Sequence, residues 1–206
     1  GCNLENMPDS SLKLLTNKEL IALNQDPLGL QAYVAQHENE GYVLVKDIEQ
    51  KRGNVRAVAL YNPSDTICSF SVPFSSLEFG GNVKVRDLVK HSDLGNFSGT
   101  FEQTLPAHSA MFLRIEGETR LEPTLYEAEW AYLPLFNDLG KNPKGIIYAH
   151  DKEASGKMKV GFLGGQPENY AEWREVYSEN GGRYDMTIHY LYGKGRQIEL
   201  DVNGII

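Results

Sequence analysis

The stretch Val55-Arg56-Ala57-Val58-Ala59-Leu60-Tyr61 limits what this chain can become more than any other. It is almost wholly apolar, so it reads as a central strand buried on both faces, not one that alternates between core and water. Gln50-Lys51-Arg52-Gly53-Asn54 precedes it as a polar turn, and Asn62-Pro63-Ser64-Asp65 ends it with turn chemistry. Tyr42–Val45, Ile67–Val72, Val83–Leu88 and Ala110–Ile115 are further short runs at similar spacing. Short strands divided by turns in this way predict an antiparallel sandwich.

The first 30 residues have a different period. Pro8-Asp9-Ser10 signals a helix start, and Leu12 and Leu15 form a short apolar stripe. Thr16 lies three residues before Glu19, the spacing of a capping box, and Leu20 and Leu23 continue at helical spacing. The helix must stop at Asp26-Pro27, because the residue before a proline is pushed out of the helical region. That position makes Asp26 a turn residue, and Gly29 then permits a change of direction. Taken by its physics alone, this is a capped surface helix. Its apolar stripe needs a partner surface, and left open it favours self-association.

Glu116–Pro123 reads as a charged linker between two units. A strand is expected over Leu125–Trp130, with Tyr126, Ala128 and Trp130 on one face and Glu127 and Glu129 on the other. Further strands are expected at Ala171–Tyr177, at Tyr184–Tyr190 and at Ile198–Val202, where apolar and polar residues alternate. The expected fold is therefore mainly β: a helical segment over residues 1–31, a sandwich over 32–117 and a second all-β unit over 118–206.

Net charge −8 argues against a nucleic-acid partner, which requires clustered Lys and Arg. No run approaches the ~20 apolar residues of a membrane span. Cys2 and Cys68 are too few for a disulfide framework and read first as two reduced, buried thiols, with a single bridge between them left open. The five histidines lack paired ligand spacing, and Gly80-Gly81 and Gly164-Gly165 lack the Lys-Ser/Thr sequel of a phosphate loop.

The wording of several stretches carries more than their physics. Gly1–Met7 followed by Leu15–Gly29 resembles the end of the catalytic barrel in glycoside hydrolase family 27, the α-galactosidases. Asn3 stands where many relatives carry Asp, and Leu20 and Leu23 replace similar aliphatics. Arg56–Asn62, Val85–Leu88, Leu94-Gly95, Leu105–His108 and Leu113-Arg114 occur in the order of that family's C-terminal β-domain. The resemblance covers roughly residues 1–117. It implies a (β/α)8 barrel whose last helical segment is residues 1–31, and a retaining α-galactosidase as parent, acting outside the cytoplasm or in the periplasm on galactose-containing oligo- or polysaccharides. The family's two catalytic aspartates would lie upstream of Gly1, so this stretch is expected to be inactive alone. α-N-Acetylgalactosaminidase and β-L-arabinopyranosidase parents stay open, as does a stand-alone sugar-binding or purely structural β protein.

Tyr126–Glu129, Ala154–Gly161, Gly182–Tyr190 and Val202–Gly204 resemble the first part of a carbohydrate-binding module of family 35 or family 6, with the closing strands missing. Two carboxylates on one strand face repel unless solvated or bridged by a hard cation. The residues leave both options open; the resemblance implies a structural calcium at Glu127 and Glu129 and no other cofactor. Sugar recognition needs an aromatic platform with polar groups. Trp130, Tyr132, Phe136, Tyr148, Tyr170 and Trp173 are available, and the resemblance places Tyr148 in a binding loop.

Overall fold

The computed structural model describes residues 6–38, 40–49, 53–136, 145–155, 158–174, 176–191 and 197–205. Cys2, Gly1–Glu5 of the barrel-like motif, residues 50–52 and 156–157, and Glu175 lie outside the described residues. The chain is mainly β with two short helices, α1 (Asp9–Leu15) and α2 (Lys18–Asn24). No helix among the described residues is long and apolar enough to cross a membrane.

Ten strands follow: β1 (Tyr33–Glu38), β2 (Gly41–Asp47), β3 (Val55–Asn62), β4 (Cys68–Pro73), β5 (Phe79–Asp87), β6 (Ser92–Ser98), β7 (Thr100–Leu105), β8 (Ser109–Arg120), β9 (Ile147–His150) and β10 (Met158–Gly161). A six-stranded antiparallel sheet runs β1-β2-β3-β8-β5-β6, and β4 pairs with β7 as a separate ribbon. As its composition demands, β3 is central, paired with β8 over its whole length and with β2 from Arg56 to Tyr61. Rows such as Val45–Val58–Leu113 and Val43–Leu60–Met111 cross the inner face of the sheet.

The ribbon closes over that face. Cys68, Phe70 and Val72 on β4 and Phe101 and Leu105 on β7 point inward, while Ser69–Thr104 and Ser71–Thr100 pair hydroxyls outside at 3.2 Å. Phe74 and Leu77, in a 3-10 turn between β4 and β5, plug one end of the core. Gly41 lets the layers meet: a Cβ there would lie 2.7 Å from Cys68 Sγ and 2.8 Å from the Phe70 ring.

Arg56, 2% exposed, is the one cation buried in the sandwich among the described residues. Its guanidinium reaches Asp47 at 2.7 Å and Glu78 at 3.2 Å, and it also donates to the carbonyls of Gly53 and Val55. Glu78 takes a second cation, Arg120, at 2.8 Å. Burying these charges is tolerable only because each has a partner.

Several expectations are corrected. Asn17, not Thr16, caps α2: its Oδ1 accepts from the amides of Glu19 (2.9 Å) and Leu20 (3.1 Å), while its Nδ2 donates to Leu88 O at 2.9 Å. Thr16 instead ends α1, its hydroxyl donating to Leu12 O. Residues 116–120, read as linker, continue β8 to Arg120. No strand forms at 125–130; the chain arrives extended and turns through a 3-10 helix, Ala128–Trp130. Among the described residues the expected strand at 171–177 makes a single bridge, Tyr132 to Glu172. Residues 184–190 and 198–201 have no ladder partner among the described residues, and Tyr184, Met186, Ile188 and Tyr190 are all exposed. Alternation says which face a strand would bury, but a strand also needs a neighbour along its edge.

Candidate functional site

The turn at Glu127–Ala131 gathers the three residues singled out from the sequence. Trp130 leaves it to stack on Tyr33 of β1, with ring centroids 5.3 Å apart, which fastens this turn to the sandwich. Arg120, at the end of β8, lies over the Tyr177 ring at 4.6 Å and makes a second tie. Behind the turn, Ala131, Leu133 and Ile146 form a small core with Leu135, Val160 and Ala171 packed against it.

Glu127 precedes the 3-10 turn. Its carbonyl accepts from Trp173 Nε1 at 3.0 Å, and its Oε2 accepts from Ser155 Oγ at 2.8 Å. Glu129 is turned inward and only 9% exposed, so the two carboxylates do not share a solvent face as the alternation suggested. Its Oε1 is buried and makes no hydrogen bond. Burial raises the Glu129 carboxyl above the usual carboxylate range; its own backbone amide opposes this and the charge of Glu127 adds to it. Tyr148, on β9, donates its hydroxyl to Glu129 O at 3.0 Å and packs on Phe136 at 4.6 Å between centroids. Burial, then the Glu129 charge, raises that phenol.

Calcium takes six to eight oxygen ligands. The unpartnered Glu129 Oε1 and the Glu127 carboxylate are oxygens of the hard, anionic kind such a set uses. Among the described residues no three acidic, histidine or cysteine side chains gather at one point. The pair therefore fits a calcium only with further oxygens from carbonyls, water or other segments.

Of the aromatic candidates, Trp130 is spent on Tyr33. Tyr132 carries the Arg174 guanidinium 4.0 Å above its ring, and Tyr132, Phe136, Tyr148, Tyr170 and Trp173 all present exposed surface. Each keeps a ring face or edge in water, the arrangement a sugar ring can use.

A second constellation had no local sequence signal. Glu19 on α2 accepts from Arg86 Nε and Nη2, and His91 Nδ1 lies 2.7 Å from its Oε1. Arg86 also reaches Asp93 on β6. These carboxyls are held below their ordinary range by the guanidinium, the reverse of what a general acid requires. Asp26 is a turn residue, its Oδ1 accepting from Leu28 N and its Oδ2 from Glu49 N.

Residues 39–115 match the family model for the alpha galactosidase C-terminal beta sandwich domain. The matched range runs from the start of β2 to near the end of β8, and so takes in the whole core between sheet and ribbon. Alpha-galactosidase 3 of Arabidopsis thaliana is 37% identical over 111 residues, which are 52% of this chain and 25% of that protein. The chain spans 25% to 31% of the length of the first curated relatives it matches. The sandwich also resembles solved structures. Alpha-galactosidase I from Mortierella vinacea aligns with a TM-score of 0.53 at 23% identity, over 59% of this chain and 32% of that one, and shows the shared fold. A family 27 β-L-arabinopyranosidase from Geobacillus stearothermophilus aligns at 0.50 and 25% identity, over 56% of this chain and 26% of that one.

Proposed function

We propose that this chain is the non-catalytic C-terminal portion of an α-galactosidase-type glycoside hydrolase, in which α1, α2 and the sandwich support a catalytic barrel. The observation that carries this is the family match over residues 39–115, on a sandwich whose outer face already holds a helical segment. That segment is fixed on one side only. Asn17, Glu19, Leu23 O and Asp26 bind the sandwich, while Leu12, Leu14, Leu15 and Ile21 remain exposed. An apolar face of this kind suits a larger body, and without one it favours pairing between copies. In this reading galactosides are the substrates of the whole enzyme, and the acid and nucleophile belong to the barrel.

The test uses p-nitrophenyl α-galactoside. This chain alone should not hydrolyse it. Replacing the C-terminal domain of the Arabidopsis relative with residues 6–120 should give an active, folded chimera. Hydrolysis by this chain alone, abolished by substituting one of its own carboxylates, would overturn the assignment.

The exposed aromatic surface of Tyr132, Tyr170 and Trp173 favours a second role for residues 118–206, binding carbohydrate with a structural calcium at Glu127 and Glu129. Titration with galactose, arabinose and oligosaccharides, with and without calcium, tests it; no heat at millimolar sugar would exclude it.

A further inference from the structure

A row of rings crosses β1, β2 and β3 on the outer face of the sheet, apart from Glu127, Glu129 and the aromatic surface around Tyr132. Register sets His37 opposite Tyr42, Tyr42 opposite Tyr61, and Tyr61 opposite Ala110. The His37 and Tyr42 rings stack with centroids 4.1 Å apart and planes 9° from parallel. Tyr42 and Tyr61 are looser, at 6.2 Å and 27°. Ala110 ends the row and is too small to cover the far face of Tyr61, which is 43% exposed.

Beside the rings is a cleft of about 300 Å³ lined by His37, Glu40, Tyr42, Pro63 and Ser64. That is the lower end of the range for small-ligand sites, roughly 300–1,000 Å³. One wall is rigid for a clear reason. Asn62 is fully buried; its Nδ2 donates to Thr66 O at 2.8 Å and Pro106 O at 2.7 Å, and its Oδ1 accepts from Ser64 N and Ser64 Oγ. The turn bearing Pro63 and Ser64 is thus held from beneath. The opposite wall is the β1–β2 hairpin, where Glu40 sits in the left-handed region at φ 66°.

We propose that this cleft and its ring row bind a neutral pyranose or furanose sugar. Tyr42 is stacked between His37 and Tyr61. The outer face of the exposed His37 ring, at the end of the row and in the lining, therefore accepts the apolar C–H face of a sugar, and the Glu40 carboxylate and Ser64 hydroxyl oxygen accept its hydroxyl protons. Among the described residues the lining contains no Lys or Arg, so an anionic ligand would meet Glu40 without a counter-charge. The binding is weak, because one open cleft buries little of a ligand, and dissociation constants are on the order of millimolar. The inference does not depend on the glycosidase assignment.

The test is an NMR titration of the full chain with galactose, arabinose and glucose, reading the ring resonances of His37, Tyr42 and Tyr61. Saturable shifts at these rings with at least one sugar are expected. His37→Ala, on an edge strand and in the lining, should weaken that binding by about tenfold, the loss of one good stacking contact. Ser64→Ala, which removes a hydroxyl from the opposite wall, gives a second reading should His37→Ala disturb the hairpin. Trp173→Ala should leave the shifts in place, which separates this site from the surface around Tyr132. No saturable shift with any sugar, shifts with a proline-rich peptide alone, or unchanged affinity in a folded His37→Ala protein would overturn the proposal. A hydrolysis assay enters none of these outcomes, so failure of the glycosidase assignment would not be mistaken for failure of this one.

Discussion

Arg86 on β5 grips Glu19 on α2 through two parallel hydrogen bonds, Nε to Oε2 and Nη2 to Oε1, both 2.8 Å. This bidentate fork fixes the angle at which the helix meets the sheet as well as the distance. The bond from Arg86, and after it that from His91, lowers the Glu19 carboxyl to about 2 from 4.5. A carboxyl depressed in the folded state contributes its stability fully above the unfolded value and loses it as pH falls. Thermal midpoints should therefore drop as pH falls from 4.5 toward 2, and Glu19→Gln should lower the midpoint at neutral pH and flatten that part of the profile. Melting curves of both proteins across the window check this, and added salt should shrink the difference.

Asn17 caps α2 and ties it to Leu88 O with one buried amide. Asn17→Ala removes both, leaving two part-buried helix amides and the Leu88 carbonyl without partners. The expected cost is about 1–2 kcal/mol, the upper part of the range for a lost cap. Urea unfolding followed by circular dichroism measures it, and Thr16→Ala, at the end of α1, should cost less.

Gly41→Ala should destabilise the sandwich by about 1–3 kcal/mol, because the added methyl would enter the space of Cys68 and Phe70 between the two layers. Gly95→Ala is the control for backbone strain without crowding: its φ of 118° strains a side chain, yet a Cβ there meets nothing within 4 Å. Chemical denaturation of the two variants separates crowding from backbone strain.

Glu129 supplies a test with opposite signs. Its carboxyl is raised by burial, so its ionisation opposes folding, and stability should fall as pH rises above 4.5. In chelator, Glu129→Gln should therefore raise the melting temperature at neutral pH. With calcium bound at Glu127 and Glu129, the ion should stabilise the native protein and leave Glu129→Gln unmoved. Scanning calorimetry with calcium and with chelator distinguishes the cases; an identical response of both proteins to calcium would remove these residues as ligands.

Much of the sandwich was legible because its strands carry their burial in their composition. β3 reads as buried on both faces and is so, apart from Tyr61, which reaches the outer row of rings. β1, β6 and β7 escaped because YVAQHE, SDLGNFS and TFEQTL are edge or ribbon strands with half their surface in water. Their place is set by partners, not by hydrophobicity. The capping box misled by one residue, since Thr-x-x-Glu scores the spacing but not the pull of Arg86 on Glu19. Glu127, Glu129 and Tyr148 do converge, yet no local pattern told that Glu129 would face inward. That orientation follows from Trp130 stacking on Tyr33, nearly a hundred residues earlier in the chain.

The length of β8 has a mechanical meaning. It pairs with β3 from Ser109 to Glu116 and with β5 from Leu113 to Arg120. Tension applied to the chain beyond Arg120 would run along the strand axis and load both ladders in shear, so that many hydrogen bonds must fail together. The ribbon of β9 and β10, joined over four residues, has no such reserve. A pull from that end should unravel the second unit first and leave the sandwich as the anchor.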